Sequence, residues 1–140
     1  MQCTLTVLLL TILLVGCNKD DATTNSNQFT DNLTLGSGLN SSNPFQLTGE
    51  STTFSGSSVI IYWRLESKDD MAGSAVSIKI EKLVNGSYTT AQSFPYTNPQ
   101  SYGHIMLSTF VWTQTGSFRA TGIHTATSKT VATREFTVQP

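Results

Sequence analysis

Seven carboxylates follow residue 30: Asp31, Glu50, Glu66, Asp69, Asp70, Glu81 and Glu135. General acid–base work on a glycosidic bond needs two of them facing one cleft. Their spacing names no such pair. Glu66 and Glu81 fall on outward strand positions, where water is expected to solvate them. Lys68-Asp69-Asp70 lies between two strands and offers oxygen atoms to a calcium ion, but no Asp-x-Asp-x-Asp series accompanies it. A solvated turn is the plainer expectation. His104 and His124 are the only histidines, and a zinc site would need a third ligand that the spacing does not supply. Serines abound, but no Gly-x-Ser-x-Gly elbow and no Gly-rich phosphate loop occurs. Both cysteines, Cys3 and Cys17, lie within the first seventeen residues, so thiol chemistry and disulfides are excluded from the rest of the chain. The expectation is a chain that is not an enzyme, with no catalytic residue, metal or cofactor.

Binding chemistry has better candidates. Residues 94–103 read FPYTNPQSYG, a long link between two strands that sets aromatic rings beside prolines and amides. Tyr96 and Tyr102 flank Asn98-Pro99-Gln100, and Trp112 stands at the end of the following strand. Flat rings stack, and amides hydrogen-bond, which is how sugars and protein surfaces are recognised. These three residues are the candidate binding set; the other reading is that the rings cover the end of the core. Nucleic acid is not expected. The eight Lys/Arg are scattered and the net charge is -1, whereas phosphate binding needs clustered positive charge.

The rest of the chain must position those residues. Residues 5–15, LTVLLLTILLV, are too few to span a bilayer as a helix but have the length of a signal-peptide apolar region. Leu14-Val15-Gly16-Cys17 follows and resembles the lipobox of bacterial lipoproteins. The resemblance implies removal of residues 1–16, lipidation of Cys17, and a membrane partner held through N-terminal acyl chains. Several such chains anchor firmly, because each buried CH₂ contributes about 0.8 kcal/mol. Lys19-Asp20-Asp21, close behind the cysteine, resembles the lipoprotein export signal of Bacteroidota and implies display at the cell surface on the outer membrane; a solvated linker is the alternative. The first four residues carry no Lys or Arg. Residues 17–44 are read as lipid anchor and flexible tether, Gly/Ser/Asn-rich toward the end, and residues 45–140 as one domain.

That domain is read as all-β. Residues 59–66 place Val59, Ile61, Trp63 and Leu65 on one face. Val76, Ile78 and Ile80 alternate with Ser77, Lys79 and Glu81. Asn85-Gly86 is a two-residue hairpin turn. Further strands are expected at 87–94, 105–112, 117–125 and 130–138, a spacing that suits a sandwich. Ile105-x-Leu107-x-x-Phe110, followed by Gln114-x-Gly116-x-Phe118-x-Ala120, resembles the strand E to strand F passage of immunoglobulin-like domains, and Trp63 resembles the core Trp of fibronectin type III strand B. Gln114, Phe118 and Ala120 stand where that pattern has Asp, Tyr and Cys. The resemblance implies an immunoglobulin-like antiparallel β-sandwich with Ile105, Leu107 and Phe110 inward and Trp112 partly exposed; a jelly roll or small barrel is the alternative. A lipid-anchored, non-catalytic binding or accessory module follows from it, with a protein or glycan ligand. Glycan capture in a nutrient-uptake system is a second expectation and a small hydrolase a third.

Overall fold

The computed structural model describes residues 28–140. Cys17, Lys19, Asp20 and Asp21 lie outside the described residues, as does the start of the expected tether, residues 17–27. The chain forms an all-β sandwich of two sheets. Sheet A has the order β2-β1-β4-β7, built from β1 (Asn32–Leu39), β2 (Leu47–Glu50), β4 (Val59–Glu66) and β7 (Ile105–Trp112). Sheet B has the order β3-β9-β8-β5-β6, built from β3 (Thr53–Ser55), β9 (Lys129–Gln139), β8 (Gly116–His124), β5 (Ala75–Val84) and β6 (Ser87–Thr97). Pairing is antiparallel except for β3 with β9, which is parallel. The two sheets, of four and five strands, pack as an all-β sandwich.

Alternation builds the core. Ile61, Trp63 and Leu65 on β4 face Val76, Ile78 and Ile80 on β5, and all six are fully buried. Successive side chains point to opposite faces of a strand, so each inward triplet leaves polar neighbours outside. Asn85 and Gly86, with φ of 50° and 80°, join β5 to β6; a right-twisted hairpin favours positive φ at both turn positions. Phe118 stands at the corner position and is buried, stacked on Phe136 at 5.4 Å and edge-on to Trp112 at 5.1 Å.

Three expectations need correction. The ordered domain starts well before residue 45. Leu33 and Leu35 are each 1% exposed, and β1 pairs with β4 from Asn32↔Glu66 to Gly36↔Tyr62. The glycines that suggested a tether serve the sheet instead. A Cβ on Gly36 would lie 2.8 Å from the Thr48 carbonyl oxygen, so only glycine lets β2 lie this close. The second correction concerns β7. Met106, Phe110 and Trp112 are buried, whereas Ile105 and Leu107 are half-buried on the other face beside exposed Val111. Alternation runs unbroken through β7, and the two large rings Phe110 and Trp112 set its register because they have most apolar area to bury. The third concerns the acids. Glu81 is 7% exposed, at a β-bulge between Ile80 and Glu81, and Lys79 (3.0 Å) and Arg119 (2.9 Å) neutralise it. Glu66 is half-buried and paired with Arg64.

Candidate binding surface

The three aromatic candidates are not brought together on one surface. Trp112 is 2% exposed and its indole N–H finds no hydrogen-bond partner among the described residues, so it is a core residue. Tyr96 belongs to β6 rather than to a loop. Its ring meets Trp63 edge-on at 4.9 Å and its hydroxyl donates to the Thr109 carbonyl at 2.7 Å, tying sheet B to sheet A. Burial pushes the Tyr96 hydroxyl above the ordinary phenol value. The link after β6 is therefore shorter than expected and closes on a 3-10 turn, Gln100–Tyr102. Asn98 anchors it from full burial, donating from Nδ2 to the Gly103 carbonyl. Tyr102, 40% exposed, is the most exposed of the three candidates, Tyr96 being half-buried.

Tyr102 does not stand alone. Its ring meets Phe45 edge-on at 5.6 Å. Phe45 comes from the loop between β1 and β2, which its own amides close. Asn40 Oδ1 accepts from the Ser42 and Asn43 backbone N–H groups, and Asn43 Oδ1 accepts from Phe45 N–H. The Phe45 carbonyl accepts from Arg64 Nε at 2.8 Å. Arg64 Nη2 in turn lies 2.6 Å from Glu66 Oε2, and Thr30 donates its N–H and hydroxyl to Glu66 Oε1. Burial would raise the Glu66 carboxyl, but the Thr30 amide and the Arg64 guanidinium outweigh it and hold it below the ordinary carboxylate value. A cleft of about 450 Å³ opens beside Arg64, lined also by Asn32, Thr34, Gln46, Leu47 and Glu50. Its walls offer amide, hydroxyl, carboxylate and guanidinium groups together, with the Phe45–Tyr102 pair connected through Arg64.

Sequence reasoning missed Asn32, Thr34, Phe45 and Arg64 as parts of a surface. The short alternation Asn32-Leu33-Thr34-Leu35 was the available signal, with its polar members now on the outer face of β1.

The other titratable groups are engaged elsewhere. Lys129 Nζ bridges Asp69 Oδ2 at 2.7 Å and Asp31 Oδ2 at 3.7 Å. The hydrogen bond from Lys129 holds the Asp69 carboxyl below its ordinary value. Asp70 accepts from the Ala72 N–H, which makes the Lys68-Asp69-Asp70 stretch a self-bonded turn. His104 stacks on Phe29 at 4.3 Å with Nδ1 3.0 Å from the Ser67 carbonyl, and His124 is buried. Among the described residues, no three His, Cys, Asp or Glu side chains stand close enough to hold a metal ion. On the outer face of sheet B, Arg119 lies over the Tyr88 ring at 4.1 Å and Tyr88 donates to Glu135 at 2.7 Å, beside a smaller cleft of about 280 Å³.

No family model matches the chain, and no curated protein matches it.

Proposed function

We propose that this chain is a lipid-anchored, surface-displayed binding module without catalytic activity, and that its ligand lies across the outer face of sheet A between Tyr102 and the Arg64 cleft. The observation that carries this reading is the contact of half-buried Phe45 with exposed Tyr102, coupled to a polar cleft through Arg64. A ring with little rotamer freedom beside preset polar groups loses little entropy on binding. The non-catalytic part rests on the acids: Glu66, Glu81 and Asp69 are all committed to Arg or Lys partners. The address rests on Leu14-Val15-Gly16-Cys17 and on Lys19-Asp20-Asp21.

Glycan capture is the more specific form of this reading. Amides, a hydroxyl and a carboxylate beside flat rings match the mixed stacking and hydrogen bonding that a saccharide offers. The test is to screen the full chain against a glycan array and a pool of surface proteins. A hit lost in Tyr102→Ala at unchanged melting temperature supports the reading. A parent that binds nothing, or a hit that Tyr102→Ala leaves intact, rejects the surface.

A further inference from the structure

Among the described residues, four strands run along the sheet edges: β2 and β7 in sheet A, β3 and β6 in sheet B. An unpaired edge invites another strand, and proteins blunt edges by shortness, proline, charge or a bulge. β2 and β3 have four and three residues. β6 carries Pro95 and faces β5 across a register shift. β7 has none of these devices. Its eight residues, IMLSTFVW, include no charge, proline or glycine, and it pairs with β4 along its length without a register shift. Among the described residues, what caps it is one side chain from the other sheet. The Tyr96 hydroxyl donates to the Thr109 carbonyl, which places that carbonyl on the free edge. Period two then sets the backbone groups of Leu107 and Val111 on the same edge.

We propose that β7 pairs antiparallel with β7 of a second copy of this chain about a two-fold axis at Thr109, and that the Tyr96 hydroxyl is the cap that must release for pairing. A two-fold axis brings the same patch of each copy together, so the strand must be complementary to itself. β7 meets that condition. With Thr109 opposite Thr109, Leu107 of each copy faces Val111 of the other, and no like charges meet because the strand has none. Threonine pairs and aliphatic pairs are favourable cross-strand neighbours. Val111, 55% exposed on the free chain, gains an apolar neighbour.

Sedimentation velocity on the full-length chain in excess mild detergent, over a concentration series, tests it. The parent should show a monomer–dimer equilibrium. Tyr96→Phe keeps the ring and removes the cap, and should tighten dimerisation about two- to tenfold, the worth of one exchanged hydrogen bond. Thr109→Pro removes an edge N–H rather than a bond to β4, and Val111→Lys puts a charge on each strand; both should be monomeric with an unchanged near-UV spectrum. If Thr109→Pro loses that spectrum, Val111→Lys decides alone, because its site is exposed. Parent and Tyr96→Phe monomeric at every concentration would overturn the proposal, as would dimers of parental strength in Val111→Lys.

Discussion

The Tyr102 ring meets the Phe45 ring edge-on, with centroids 5.6 Å apart, although 57 positions (102 − 45) separate them in the chain. That contact joins the turn after β6 to the loop between β1 and β2. It makes a surface from two segments that look unrelated in sequence. The Phe45 carbonyl accepts from Arg64 on β4, which ties the loop that carries Phe45 to a strand.

Tyr96 and Tyr102 should separate cleanly in stability measurements. Tyr96→Phe loses the hydrogen bond between the sheets and should cost about 0.5–1.5 kcal/mol. Tyr96→Ala also empties the space against Trp63 and should cost about 3 kcal/mol. Tyr102→Ala should stay within about 0.5 kcal/mol of the parent, as befits an exposed position. Chemical denaturation of the three variants checks this.

What was legible in the sequence follows from what alternation can encode. β4 and β5 each bury three residues at period two, and the Asn85-Gly86 turn fixes their hairpin neighbour, so this half of the fold was readable. β1 was hidden because its inward apolar signal is only Leu33 and Leu35, followed by glycines whose meaning depends on the approach of β2. β7 misled for another reason. Ile105 and Leu107 are as apolar as Met106, so composition could not choose the inward face; packing of Phe110 and Trp112 against sheet B chose it. The surface was half legible. Tyr102 stood out by its neighbours, whereas Arg64 and Phe45 became part of it only through a contact 19 residues apart.

Acid should weaken the domain through Glu81. Burial acts to raise its carboxyl, but the hydrogen bonds from Lys79 and Arg119 prevail and hold it below the ordinary 4.5. A depressed folded-state value contributes stability above pH 4.5 that is lost as pH falls through the folded value. Glu66 acts in the same direction. In Glu81→Gln the Glu81 part is absent, so the parent's advantage over this variant should shrink steadily below pH 4.5. Melting curves from pH 7 to pH 3 measure it; an advantage that grows on acidification would contradict the ion-pair assignment.

At Gly122 on β8 the two sheets approach closely. A Cβ there would lie 2.5 Å from Leu65 Cδ1, and Leu65 is fully buried with no room to swing. Gly122→Ala should cost about 1–3 kcal/mol by overpacking. Combining it with Leu65→Val should recover part of that loss, which a double-mutant cycle reads directly.

The anchor makes its own forecast. Cys17→Ala should leave the chain unprocessed and unlipidated, so that the mature-size band disappears from the detergent phase. Replacing Lys19, Asp20 and Asp21 together by Ala should protect the domain from protease added to intact cells. Equal digestion of that variant and the parent would remove the export motif from the account while leaving the anchor standing.

The most direct measurement is the affinity of the array-selected ligand for the parent, Tyr102→Ala and Tyr88→Ala, each melted in parallel. Tyr88 sits by the second cleft, on the opposite sheet, with its ring under Arg119, and serves as the control for face. The account predicts that Tyr102→Ala weakens binding about tenfold at unchanged melting temperature, the worth of a ring at the centre of a contact, and that Tyr88→Ala binds as the parent does. Binding lost in Tyr88→Ala and kept in Tyr102→Ala would place the ligand on sheet B and contradict it.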